Sequence, residues 1–146
     1  MDTEKVVYIL QRYKDINREL QLHNRIIKDI EDNFYCPLTS SINKVDSTEK
    51  TALNVPVEIS KELKDLQKQK EETLIFKTEV KRELDKLETL HKCIIYDFYI
   101  DHKRWEQIAQ RLNYSVRQCK NIRAKALKLL GRQFEYNKEL KKFKVG

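Results

Sequence analysis

Residues 87–131 decide the fold, and they read LETLHKCIIYDFYIDHKRWEQIAQRLNYSVRQCKNIRAKALKLLG. Apolar residues recur at helical spacing in three segments of this stretch, and two short polar breaks separate the segments. The middle segment is the clearest, because its apolar residues stand at i, i+3, i+4 and i+7 and therefore share one helical face. These residues are Trp105, Ile108, Ala109 and Leu112. The stretch predicts three helices around a common core, with Trp105 packed inside it; a contact from the Trp105 ring N–H to a DNA phosphate is the alternative.

The break between the second and third segments has the chemistry of a turn followed by a helix start. Asn113 and Tyr114 predict the turn. Ser115 stands at the N-cap position, where its hydroxyl can accept a backbone N–H of the next helical turn. The apolar residues of the third segment again lie on one side, and they are Cys119, Ile122, Ala126, Leu127 and Leu130. Two helices joined by a tight turn are the arrangement of a helix-turn-helix.

The opposite side of the third segment is basic and rich in side-chain amides. Arginine and lysine match the acceptors of guanine, and asparagine and glutamine match the donor and acceptor of adenine. The pattern therefore predicts a helix that reads DNA in the major groove, and an ordinary helix pair with a solvated face is the alternative. The predicted base-reading residues are Arg117, Gln118, Lys120 and Asn121, with Ser115 as the N-cap and a phosphate contact. The predicted contacts to the DNA backbone are Lys103, Arg104, Arg111, Arg123 and Lys125.

The net charge of +7 is concentrated at one end of the chain. Residues 102–146 hold 13 Lys or Arg and 3 Asp or Glu, a balance of +10, whereas residues 1–101 have a balance of −3. A basic block attracts polyanions at long range and releases their counterions on binding. A solvated basic surface is the alternative. The two acidic residues near the module, Asp97 and Asp101, are expected to support the geometry of lysine or arginine side chains.

Upstream of this module the sequence predicts two long helices. Over residues 4–34 the apolar positions follow the 4-3 spacing of a heptad, with a second apolar strip at Val6, Leu10 and Ile26. A further 4-3 pattern begins after Pro56 and includes Leu63, and between residues 66 and 80 this pattern either shifts or loosens. Two helices of similar length predict an antiparallel hairpin. Pairing of one helix with a second copy of the chain is the alternative.

The fold class expected from these patterns is all-α. Only 2 Gly and 2 Pro, against 36% charged residues, leave little material for turns and sheets. We expect a long-helix hairpin over residues 1–86, for oligomerisation or partner binding, with a polar loop over 35–55. The helix-turn-helix module then spans 87–131. A basic tail over 132–146 either continues as a short helix on the scaffold or lies as an arm along DNA.

Several classes of protein are not expected. The chain has no glycine-rich phosphate loop, no nucleophile beside a base and no clustered carboxylates, so we predict that it is not an enzyme and takes no cofactor. Cys36, Cys93 and Cys119 lack the spacing of a zinc site. No apolar run approaches the length of a membrane span, and the first residues lack the pattern of a signal peptide. We therefore expect a cytoplasmic protein without a membrane partner.

The run W-E-Q-I-A-x-x-L followed by S-x-x-x-C-x-x-I-x-x-x-A-L-x-x-L, over residues 105–130, resembles region 4 of bacterial sigma factors. It departs from that pattern at Val116, where the family usually has a polar contact residue, and at Cys119, where it has a branched aliphatic. In size and layout the chain resembles phage late-transcription regulators of the RinA and ArpU type. This resemblance implies an activator of phage late genes that binds double-stranded DNA and acts with RNA polymerase in the bacterial host cell.

Three further expectations accompany this resemblance. The protein is expected to form a homo-oligomer, with a dimer favoured. A structural adaptor that docks on polymerase or on a packaging complex is one alternative function. A small terminase subunit, which also joins a DNA-binding helix pair to an oligomerising coil, is the other.

Overall fold

A computed structural model describes residues 1–34 and 57–143, and over these ranges the protein is helical, without a strand. This confirms the expected all-α class. The helices are α1 (Thr3–Phe34), α2 (Val57–Asp85), α3 (Thr89–Ile95), α4 (Trp105–Leu112), α5 (Val116–Tyr136) and α6 (Lys138–Lys141), and α3 continues into a π-helical turn, Tyr96–Ile100. The predicted loop over 35–55 lies outside the described residues. Among the described helices, none is both long and apolar enough to cross a membrane.

The chain divides into two compact units. One unit comprises Met1–Ile16 with Ile75–Gly146, and the other is Asn17–Leu74. Both long helices contribute to both units. The reason is visible in α1, where Ile16 is fully buried but the next apolar residues, such as Leu20 and Ile27, are only half-buried.

The first unit contains the main apolar core, to which α1, α2, the α3 segment, α5 and α6 all contribute. On α1 the strip residues Val6 and Leu10 are as fully buried as the heptad residue Ile9. The buried face of α1 is therefore wider than a heptad pattern with a single partner helix requires, because several helices pack against it.

In α2 the apolar pattern loosens rather than shifts. Thr73 stays buried on the original pattern, as does Val80, and Phe76 joins them from the adjacent position. Leu74 and Ile75 are 42% and 44% exposed, so these displaced apolar residues do not define a new buried face.

Helix α5 continues past the predicted module end at residue 131, and its last turns pack into the main core. Phe134 is fully buried, and so is Leu140 of α6. Residues 132–143 thus follow the first alternative for the tail, a helical continuation on the scaffold. Gly131 permits a close approach here, because a Cβ at this position would lie 3.0 Å from the backbone oxygen of Met1.

Replacing Phe134 by alanine is expected to lower the free energy of unfolding by about 3–5 kcal/mol, because the lost ring leaves a cavity in the main core. Tyr136→Ala is the matched control on the same helix, since Tyr136 is 89% exposed. This control should change stability by less than about 0.5 kcal/mol. Urea denaturation followed by circular dichroism measures both values, and equal losses would contradict the burial of Phe134.

Candidate nucleic-acid interface

A second, smaller core joins α3, α4 and α5, which correspond to the three predicted segments. Its fully buried members are Ile94, Ile108 and Cys119. Burial raises the pKa of the Cys119 thiol, which fits its apolar surroundings. Trp105 packs against this core as expected, and its ring stacks on Phe98 with centroids 4.4 Å apart.

Residues 113–115 connect α4 to α5 in the way the sequence predicts. Asn113 ends α4 in the left-handed conformation, with φ 61° and ψ 39°. Ser115 is the N-cap of α5, and its Oγ accepts the backbone N–H of Gln118 at 3.1 Å. In return the Oε1 of Gln118 accepts the backbone N–H of Ser115 at 2.9 Å. This reciprocal pair is a capping box, which stabilises the start of α5.

The capping box changes what Gln118 can offer to a base. Reading adenine with a glutamine uses both the oxygen and the nitrogen of the side-chain amide. The oxygen of Gln118 is already bonded to the Ser115 backbone. The structure therefore places Gln118 as a capping residue, and a base contact by its oxygen would compete with the cap.

The other three predicted base-reading residues, Arg117, Lys120 and Asn121, lie exposed on α5, and Lys125 lies two turns from Arg117. Helical spacing aligns Arg117, Asn121 and Lys125 in one row, with Lys120 beside it. The Nζ of Lys120 is 5.9 Å from the centroid of the Trp105 ring. No Asp or Glu occurs over residues 116–134, so this face carries positive charge without an acid in α5 until Glu135, close to the end of the helix.

Two of the predicted backbone contacts converge instead on a buried carboxylate. Asp97 is 3% exposed. Its Oδ2 accepts from the Nε and Nη2 of Arg111 at 3.0 and 2.7 Å, and its Oδ1 lies 3.5 Å from the Nζ of Lys103. Hydrogen bonding to Asp97 raises the pKa of the Arg111 guanidinium further above its already high value. Arg111 and Lys103 thus neutralise Asp97, as expected for an acid that supports cation geometry.

Arg123, a third predicted backbone contact, lies against aromatic rings. Its guanidinium carbon is 5.4 Å from the Phe98 centroid and 5.2 Å from the Trp105 centroid. Burial raises the pKa of the neighbouring Tyr99 hydroxyl, and the charge of Arg123 opposes that rise. The sequence already contained a signal for this placement, because Arg123 stands four residues from both Cys119 and Leu127 and so shares their apolar face.

The last predicted backbone contact, Arg104, is exposed at the start of α4. Its backbone N–H donates to the side-chain oxygen of Gln107 at 3.1 Å, which leaves the guanidinium outside the cap. Within the described part of the chain, no three His, Cys, Asp or Glu residues converge on a possible metal site. The side chains that this geometry offers to a polyanion are therefore those of α5, together with Arg104.

Arg111→Ala is expected to destabilise the protein more than Asp97→Asn. The first change leaves a buried carboxylate with only the 3.5 Å contact to Lys103, whereas the second leaves half-exposed cations that water can solvate. The double variant should recover part of the loss, because the unpaired charge is gone. Midpoints of thermal unfolding for the three variants test this order. If Arg111→Ala unfolds at the same temperature as the wild type, the ion pair does not stabilise the fold.

Comparison with known proteins does not assign a family or a function to the chain. No family model matches the chain, and neither a curated protein nor a solved structure matches it.

Proposed function

We propose that the protein is a sequence-specific, DNA-binding transcription regulator in which α4 and α5 form a helix-turn-helix. The observation that supports this most is the exposed face of α5. It is capped at its N-terminus by Ser115, it has no acid over residues 116–134, and its opposite side is buried in the core with α3 and α4. A helix about 10–12 Å across fits a major groove about 12 Å wide.

In this proposal the first two turns of α5 meet the bases. Arg117, Lys120 and Asn121 contact base edges, and the N-terminus of α5 with Ser115 faces a phosphate, because free N–H groups and the helix dipole favour an anion there. Lys125 and Arg104 contact the DNA backbone. The internal contacts of Lys103, Arg111 and Arg123 favour a supporting role for those three cations.

The regulatory setting follows from the resemblance to sigma region 4 and to the phage regulators. Five apolar residues of the sigma-like pattern are buried, as a shared helical arrangement requires. They are Ile108, Cys119, Ala126, Leu127 and Leu130. We propose an activator of phage late genes that acts with host RNA polymerase in the bacterial cytoplasm. The long helices over 1–86 would serve as the dimerisation or polymerase-binding part, and the 52% exposure of Leu22 supports a partner surface there.

A structural adaptor is the second candidate. It is favoured by two large exposed side chains on α5, Leu129 at 38% and Tyr136 at 89%, which lie one above the other on the helix at i and i+7. A protein partner with an acidic and apolar surface would cover both these side chains and the neighbouring cations.

Selection from random duplex DNA with the full chain is expected to recover a defined motif. Asn121→Ala should then reduce the binding free energy by about 1–3 kcal/mol and relax the preference at one base pair of that motif. Lys125→Ala should instead weaken binding to all sequences alike and lower the slope of log affinity against log salt by about 1. Lys81→Ala is a control for general loss of charge, because Lys81 is exposed on α2 and pairs with Asp85 at 3.0 Å. Recovery of no motif, with binding insensitive to salt, would favour the adaptor.

Two substitutions at Ser115 separate the cap from the proposed phosphate contact. Ser115→Ala should lower the free energy of unfolding by about 1 kcal/mol, whereas Ser115→Asp should preserve stability because aspartate caps equally well. On DNA, however, the aspartate places a negative charge where a phosphate is proposed, so Ser115→Asp should bind markedly more weakly than the wild type. Unfolding curves and binding titrations measure the two effects. Wild-type affinity in Ser115→Asp would mean that this helix end does not face a phosphate.

A further inference from the structure

The basic row on α5 does not stop at the residues proposed to read bases. Lys128 and Arg132 are exposed and continue the row of Arg117, Asn121 and Lys125 at helical spacings of three and four residues. At 1.5 Å per residue, Lys128 lies about 17 Å and Arg132 about 22 Å from Arg117 along the helix axis.

Nothing in the described part of the chain neutralises these two cations. Neither Lys128 nor Arg132 makes an ion pair there, and residues 116–134 contain no acid. The first acid beyond them is Glu135, whose carboxylate is 3.5 Å from the N-terminal amine of Met1 and 3.8 Å from the Nζ of Lys141. Like charges three and four residues apart destabilise a helix. Ion pairs within the described part of the chain therefore do not account for the row.

The position of the two cations relative to the groove decides which part of a duplex they can meet. The major groove is about 12 Å wide and about 8.5 Å deep, and it curves around the duplex, whereas α5 is one continuous helix. If Arg117 reaches a base edge, the backbone positions of Lys128 and Arg132, about 17 and 22 Å from it along the helix axis, lie beyond the width of the groove. At that distance the duplex presents phosphates rather than bases.

From this geometry we infer that Lys128 and Arg132 bind phosphates that flank the base-read segment and thereby enlarge the DNA footprint. This inference rests on the proposed function, since it needs the N-terminal turns of α5 in the groove. The two cations contribute affinity without sequence information, because a phosphate is the same beside every base pair. α5 holds them at a fixed distance from the reading residues, since Leu127 and Leu130 on its other side are buried in the main core.

The test compares the Lys128→Gln/Arg132→Gln double variant with the wild type and with two single variants, Arg117→Ala and Lys81→Ala. Binding of the full chain to a random-sequence duplex is measured by fluorescence anisotropy at several salt concentrations. Each phosphate contact contributes about 0.9 to the slope of log affinity against log salt, so the double variant should lose about 1.8. Between about 50 and 200 mM salt, the wild type should then lose about 12-fold more affinity than the double variant. Lys81→Ala should keep the wild-type slope.

A second readout separates backbone contact from base reading. On a duplex containing the selected motif, the double variant should show a shorter hydroxyl-radical footprint on one flank while recognising the same motif. Unfolding midpoints confirm that the variants are folded, as expected for substitutions of exposed side chains.

The outcomes distinguish this inference from the proposed function. If the double variant keeps the full slope and footprint while Arg117→Ala loses affinity, the flanking contact is wrong and the helix-turn-helix stands. If the wild type binds no duplex even at low salt, both proposals fail.

Discussion

Helix α5 buries its N-terminal half in the core shared with α3 and α4, and its C-terminal half in the main core. Cys119 belongs to the first core, and Leu130 and Phe134 belong to the second. Two polar contacts add to this anchoring, because Gln133 donates to the backbone oxygen of Glu83 at 2.7 Å and Asn137 donates to Glu79 at 2.9 Å. A helix held along its length by two cores presents its outer face at fixed spacing, which a reading helix needs because each base contact requires defined geometry.

The distribution of charge depends on a second constraint, the burial of Asp97. Asp97 lies in the π-helical turn Tyr96–Ile100. The backbone N–H of Asp101 closes this turn by donating to the backbone oxygen of Tyr96 at 2.8 Å. A buried carboxylate must be paired, since its transfer from water is costly. Arg111 and Lys103 supply the pairing, so two cations of the basic C-terminal part serve the fold. The cations left for a polyanion are therefore mainly those on the exposed face of α5.

At the edge of the smaller core, aromatic rings contact cations of α5. Phe98 and Trp105 stack on each other, and Arg123 lies over both rings. A guanidinium over an aromatic face is attracted by the ring quadrupole, and the contact holds α5 against α4 and the π-helical turn. The Nζ of Lys120 lies 5.9 Å from the centroid of the same tryptophan ring, so one aromatic side chain contacts both the core and the proposed reading face.

The sequence by itself determined the features that depend on neighbouring residues. The bounds of α4, the N-cap at Ser115 and the length of α1 follow from apolar spacing and from cap chemistry, which act over one or two turns. The all-helical class followed in the same way from composition and periodicity.

Only the tertiary structure decided features that depend on distant residues. Arg111 on α4 faces Asp97 in the π-helical turn, so this ion pair depends on how two separate helical segments pack together. α5 continues to Tyr136 because Phe134 finds a core built partly by α1 and α2. The same holds for the loosened pattern of α2, where Phe76 joins a core that includes the aromatic residue Phe143 from the far end of the chain. Local patterns specify a helix and its buried face, but which partner covers that face is set by packing between segments far apart in sequence.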